Sequence, residues 1–195
     1  MLLNLLWIVG AYFLGAIPFS FLIGRFKGVN LLEVGSKSSG ATNVYRTLGL
    51  KFAIIAFLLD MFKGYVAMWI AYLLNGYDNG WVVLAGLAAV IGHTFTPFLN
   101  FKGGKGVATG VGLMLFMKPE VAIIGFILEV MIIFITRYVS VASIAAALAI
   151  LVMSWLPFFS IIPIYRLLIF VAVAYVIYKH IPNIKRLASG EENKI

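Results

Sequence analysis

The sequence predicts an all-helical integral membrane protein with about seven spans, and three observations carry that prediction. Long stretches without Asp, Glu, Lys or Arg recur along the chain; residues 1–24, 79–101 and 138–165 are the clearest. Of the 195 residues, 63% are hydrophobic and 11% charged, against about 45–50% and about 25% in a soluble domain, and the mean hydropathy is +1.07. The 15 Lys and Arg outnumber 7 Asp and Glu, a net charge of +8, and the excess gathers between alternate apolar runs, as the positive-inside bias requires. Such a composition excludes a disordered chain, a collagen and a soluble nucleic-acid-binding domain. The absence of Cys excludes disulfides, thiolate metal sites and a cysteine nucleophile. Nothing in the chain calls for a metal or any other cofactor, and no protein partner can be inferred from it.

A bilayer-crossing helix needs roughly 20 mostly apolar residues. The first span fits between Leu2 and Gly24. A signal peptide would instead carry its basic residues ahead of the apolar run, whereas Arg25 and Lys27 follow it. A second run extends from Phe52 to Leu74, interrupted by Asp60 and Lys63, and a third from about Trp81 to Phe98. Val107 to Met117 forms a short fourth run after Gly103-Gly104-Lys105-Gly106. Val121 to Thr136 is broken only by Glu129; the next helix ends near Leu156, and Pro163 to about Tyr178 is the last span.

Charge asymmetry decides whether the short fourth run crosses. With seven spans and the N-terminus outside, the inner face holds twelve basic residues: Arg25, Lys27, Lys37, Arg46, Lys51, Lys102, Lys105, Arg137, Lys179, Lys185, Arg186 and Lys194. The outer face holds two, Lys118 and Arg166, and Lys63 lies within a span. Without that crossing the distribution falls to nine against five, so the seven-span arrangement is preferred, with the C-terminus cytoplasmic. The fourth run covers only about 16 Å at 1.5 Å per residue, which predicts a helix starting within the membrane; helices that start at depth face a ligand or a cavity. Residues 1–195 read as a single transmembrane domain.

Polar residues collect in three segments of the predicted inner face. In the first, Ser36, Ser38 and Ser39 are expected to cap a helix from about Ala41 to Leu48, closed by Gly49. On that helix Asn43 and Arg46 share a face, and a guanidinium among hydroxyls and amides suits a phosphate. A solvated loop against anionic headgroups is the competing reading. In the second, three glycines around Lys105 precede a helix whose N–H groups and positive dipole end favour an oxyanion. The alternative is a flexible basic turn. It is not a Walker A loop, since Leu99 and Gly106 stand where Gly and Ser or Thr are required. The third segment contains His180 and Asn183; His180 is preferred over His93 as a base or orienting group, because it lies beside other polar residues. Asp60 and Lys63 are three apart and expected to pair.

These segments, together, resemble the membrane acyl-phosphate:glycerol-3-phosphate acyltransferases. The resemblance rests on Gly15-Ala16-Ile17-Pro18-Phe19-Ser20, on Gly35-Ser36 with Gly40-Ala41-Thr42-Asn43 and Arg46, and on Asp60-Met61-Phe62-Lys63-Gly64. It continues through Gly92-His93, Phe101-Lys102-Gly103-Gly104-Lys105-Gly106-Val107-Ala108-Thr109 and His180, Asn183-Ile184, Arg186-Leu187, Gly190 and Glu192. Departures are Lys37-Ser38, where the family commonly has Gly-Asn, and Ile181-Pro182, where it commonly has Arg-Glu. The H-x-x-x-x-D motif of other glycerolipid acyltransferases is absent, since Phe98 and Lys185 stand five residues after the two histidines.

The resemblance implies transfer of a fatty acyl group from acyl phosphate to the sn-1 hydroxyl of glycerol 3-phosphate at the cytoplasmic face of a bacterial inner membrane, the first step of phospholipid synthesis. It implies catalytic roles for Ser36, Lys105 and His180. Glycerol 3-phosphate would be bound by Ser36, Arg46, Lys105, His180 and Asn183. Acyl phosphate would be bound by Thr42, Asn43, Gly103, Gly104, Lys105 and Gly106. An anion or phosphate-ester transporter is the rival class; it would want polar residues on both faces, and the outer connections are nearly bare.

Overall fold

The computed structural model describes all 195 residues and is helical throughout, with no strand assigned. The helices gather into two compact units, Met1–Phe116 and Met117–Ile195. The first contains α1 (Leu2–Ala16), α2 (Phe19–Phe26), α3 (Ala41–Leu48), α4 (Leu50–Asn75), α5 (Gly80–Thr94) and nearly all of α6 (Val107–Met117). The second contains α7 (Pro119–Thr136), α8 (Val139–Trp155) and α9 (Pro163–Ala188).

Five stretches are long and apolar enough to cross a bilayer: Leu2–Phe26, Leu50–Asn75, Gly80–Leu99, Pro119–Thr136 and Pro163–Ala188. Val107–Met117 and Val139–Trp155 are shorter apolar helices. Large side chains such as Leu6, Phe13, Phe62, Leu73, Phe134 and Leu167 are exposed. Helices apolar on every side are expected where lipid, not water, surrounds them.

The first expected span is broken rather than continuous. Pro18 lacks an N–H and disfavours a helical Ile17, so α1 ends at Ala16 and α2 begins at Phe19. The break turns two carbonyls to side chains of other helices: Ala16 O accepts the Thr96 hydroxyl at 2.7 Å, and Ile17 O accepts Lys63 Nζ at 3.0 Å. Lys63 and Asp60, both almost fully buried on α4, form the expected ion pair at 2.7 Å. Asp60 Oδ2 also accepts the Ser20 hydroxyl at 3.1 Å.

α5 is buried along most of its length and packs against α1 and α4. A Cβ on Gly15 would strike Ala89 O and one on Gly92 would strike Tyr12 O, so the backbones of α1 and α5 touch. Gly64 and Gly112 play the same part between α4 and α6, against Thr109 O and Met61 O. Such small-residue contacts are how helices approach closely where burial from water gives no drive. α3 lies on α4 through Val44, Ala53 and Ala56, and Leu31 of the preceding loop completes the cluster.

The last helix runs ten residues beyond the expected end at Tyr178, through Pro182 to Ala188. At about 39 Å it is longer than a hydrocarbon core of about 30 Å. Its polar end, including His180 and Asn183, is therefore helical. The tail then folds back: Glu192 Oε1 accepts from Asn183 at 2.6 Å and from Ser140 at 2.9 Å, and Oε2 accepts Arg186 Nε at 2.8 Å. Ile195 N donates to Arg137 O at 3.0 Å. Glu129, unassigned from sequence, accepts the Ser143 hydroxyl at 2.7 Å between α7 and α8.

Two outcomes are expected. Lys63→Met leaves the buried Asp60 carboxylate without its lysine, a loss of about 3–5 kcal/mol, while Asp60→Asn with Lys63→Met recovers most of it; thermal unfolding in detergent measures both. Glu192 titrates separately. Burial alone would raise its pKa, but hydrogen bonds from Asn183, Ser140 and Arg186, with the Arg186 charge, hold it below the ordinary 4.5. Its contribution is thus complete above that ordinary value and disappears as the pH falls through the lower folded one. The melting-temperature gap between wild type and Glu192→Gln should be constant above pH 5 and close on acidification below about pH 4.

Candidate active site

The loop before α3 is organised by one side chain. Asn43 is fully buried. Its Oδ1 accepts Ser36 N at 2.8 Å, and its Nδ2 faces Leu31 O at 2.9 Å, Ser38 O at 3.0 Å and Val34 O at 3.1 Å. Gly35, with φ +59°, passes against Asn43 Oδ1, where a Cβ would collide. The Asn43 amide thus shapes the loop that carries Ser36. The serines also do not cap α3; Gly40 is the capping residue and takes no side-chain bond. Ser36 and Ser38 hydroxyls instead face each other at 3.3 Å. Arg46 lies one turn beyond Asn43 with Nε buried, and Thr42 sits in the first turn of α3.

The glycine turn is reached through Asn100 and Phe101, two successive residues in the left-handed region (φ 50° and 61°). Gly103 N donates to Thr94 O at 2.9 Å and Gly104 N to His93 O at 3.2 Å. Both amides are thus bonded to the end of α5. Lys105 follows, and then the first N–H groups of α6, which have no carbonyl within their own helix. Gly106, at φ +84°, lets the chain enter that helix. The turn and the serine loop meet where the Ser39 hydroxyl donates to Lys102 O at 3.5 Å.

Beneath the turn lies a histidine that sequence reasoning ranked second. His93 is buried at the end of α5. Its Nδ1 is 3.7 Å from Asp60 Oδ1, and its Nε2 lies against Gly104. The usable signal was the pairing of Asp60 with Lys63 in one helix and a Gly-His at the end of the next.

In the second unit, His180 is almost fully buried, and Nδ1 donates to Val176 O at 2.8 Å. A carbonyl accepts only, so in the neutral ring the lone pair is on Nε2. Asn183 stands three residues on, on the same helical face, held by Glu192. Ser36, Thr42, Asn43, Arg46 and the turn Gly103, Gly104, Lys105, Gly106 belong to the first unit, His180 and Asn183 to the second.

Two anion-suited elements on an apolar helical scaffold match a known group of proteins. The family model for glycerol-3-phosphate acyltransferase matches residues 5–190. A glycerol-3-phosphate acyltransferase of Fusobacterium nucleatum is 44% identical over 194 residues, covering 96% of each chain, and one of Aquifex aeolicus is 38% identical over 187 residues, again covering 96% of each. Two crystal structures of PlsY (YgiH), an integral membrane glycerol 3-phosphate acyltransferase, are similar over 98% of this chain and 95% of theirs at 38% identity. The TM-scores are 0.92 for the glycerol 3-phosphate form and 0.91 for the lysophosphatidic acid form. With its motifs, fold and length all in agreement, this integral membrane chain belongs to the glycerol-3-phosphate acyltransferase family.

Proposed function

We propose that the protein transfers a fatty acyl group from acyl phosphate to the sn-1 hydroxyl of glycerol 3-phosphate, giving lysophosphatidate and inorganic phosphate. The observation that carries the reading is the lysine-bearing turn at the start of α6, joined by the Ser39–Lys102 bond to the loop that holds Ser36 and leads into α3 with Arg46. Two phosphorylated substrates require two anion sites, and these two elements supply them.

The glycerol hydroxyl oxygen attacks the acyl carbonyl carbon, and the bond from that carbon to the phosphate oxygen breaks. The hydroxyl proton passes to His180 Nε2 or to a phosphate oxygen of substrate. Lys105 and the amides from Gly106 into α6 hold the acyl-phosphate group and stabilise charge on the departing phosphate. Thr42 lines the same subsite, while Gly103, Gly104 and Asn43 act through the backbone they hold. Ser36, Arg46, Lys105, His180 and Asn183 receive glycerol 3-phosphate. No covalent acyl-enzyme is required. The acyl chain remains among the helices and surrounding membrane lipid.

In this reading the five long helices and the shorter α6 and α8 make seven crossings, with the N-terminus outside and both anion elements on the cytoplasmic face of the inner membrane. The distribution of basic residues supports it. α6 spans only about 16 Å, so its N-terminus starts below the headgroups, where an anion meets a positive helix end in a medium of low dielectric.

Purified protein should release phosphate from palmitoyl phosphate only when glycerol 3-phosphate is present. Lys105→Ala should lower kcat/KM about 10²–10³-fold; an unchanged rate would remove the turn from the site. His180→Gln should lower kcat about 10²-fold or more if Nε2 takes the proton, and a full rate assigns that step to substrate phosphate. Because the chain has no Cys, single cysteines report topology. In intact cells an impermeant maleimide should label Lys118→Cys and reach Lys194→Cys only after permeabilisation.

A further inference from the structure

The turn carrying Lys105 has little structure of its own: the connection between α5 and α6 has only a short 3-10 turn, Pro97–Leu99. Its position is set from below. Gly103 N and Gly104 N are hydrogen-bonded to the last carbonyls of α5, those of Thr94 and His93. The His93 ring is seated directly under Gly104, so closely that any side chain at Gly104 would collide with Nε2. The Thr94 hydroxyl lies 3.9 Å from the place a Gly106 Cβ would take, and it is buried. The opposite edge of the imidazole faces Asp60 at 3.7 Å, and Asp60 is itself held by Lys63 and Ser20.

We propose that His93 is a positioning residue of the acyl transfer, a strut between the buried Asp60 carboxylate and the glycine turn that fixes where Lys105 and the α6 amides stand. Both edges of the ring are engaged, Nδ1 toward Asp60 and Nε2 toward Gly104, so its orientation is determined by an anchor on one side and a backbone on the other. A planar ring of fixed width, braced in this way, sets the height of Gly104 above α4. Its main-chain carbonyl and that of Thr94 set the direction of the turn. His93 needs no contact with substrate to do this. The inference rests on the reading of the turn as an anion-binding element.

The test is steady-state kinetics of purified variants with palmitoyl phosphate and glycerol 3-phosphate, beside their melting temperatures. Lys105→Ala first gives the kinetic signature of the turn, as changes in kcat and in the KM of each substrate. His93→Ala should then change the same parameters in the same direction, with about a tenfold loss in kcat/KM, and leave the others within twofold. His93→Gln, whose amide nitrogen reaches the place of Nε2, should recover part of the loss. The double variant Asp60→Leu with Lys63→Met removes the anchor without stranding a charge, and should reproduce the His93→Ala signature. Adding His93→Ala to it should cost little more, because the groups act as one unit. Changes in parameters that Lys105→Ala leaves alone, or losses that merely follow the folded fraction, would overturn the proposal. So would unchanged kinetics in His93→Ala where Lys105→Ala is impaired. If Lys105→Ala leaves kcat and both KM values unchanged, the reading of the turn fails and the strut fails with it.

Discussion

A lysine ammonium buried between apolar helices must find a carboxylate, and the Lys63–Asp60 pair at 2.7 Å answers that requirement on a single helix. An unpaired Lys at membrane depth costs about 2.5–3.5 kcal/mol on insertion scales, and a close partner removes much of that. Yet an ion pair alone leaves protons and lone pairs unsatisfied. The remainder are met from neighbouring segments: Ile17 O at the Pro18 break, the Ser20 hydroxyl on α2, and the His93 ring at the end of α5. Each of these contacts specifies a position along its own helix, so the pair acts as a register mark for α1, α2, α4 and α5. The helix break at Pro18, which looks like a defect, is what turns the Ile17 carbonyl toward the lysine.

The glycine turn shows a second economy. A Gly-rich loop is often read as a row of amides open to an anion. Here the first two are bonded to the α5 terminus, which converts a flexible segment into a stapled one. In the proposed reading, anion affinity then rests on Lys105 and the start of α6, where dipole and unsatisfied N–H groups coincide. The lack of Cβ atoms at Gly103 and Gly104 serves close packing on His93 instead. In the serine loop Asn43 has the same character: a polar residue that holds a backbone in place for its neighbours.

Much of this was visible in the amino acids themselves. The short helices Ala41–Leu48 and Val107–Met117 end where Gly49 and Lys118-Pro119 stop them, and both were expected at those bounds. The Asp60–Lys63 pairing followed from a spacing of three on one helix. The miscarried expectations share a cause. Serines ahead of α3 suggested a side-chain cap, but Gly40 with its extended backbone starts the helix and the serines turn to one another. The last span was expected to reach about Tyr178, yet its helix runs on through Pro182 to Ala188, since one missing donor near the polar end does not stop it. The His93–Asp60 contact is not legible in the sequence, because the carboxylate comes from a different helix.

Composition and periodicity by themselves determined that the chain is a helical membrane protein, and the motifs determined its family, since lipid admits few backbones and phosphate recognition favours Gly, Ser, Lys and Arg at particular spacings. Which polar groups the scaffold has already engaged was decided only in three dimensions. A side-chain amide or a glycine N–H has the same chemistry wherever it stands, and its role depends on whether another segment has already taken its hydrogen bond. Asn43, Gly103 and Gly104 were taken in that way by backbone groups of the loop and of α5.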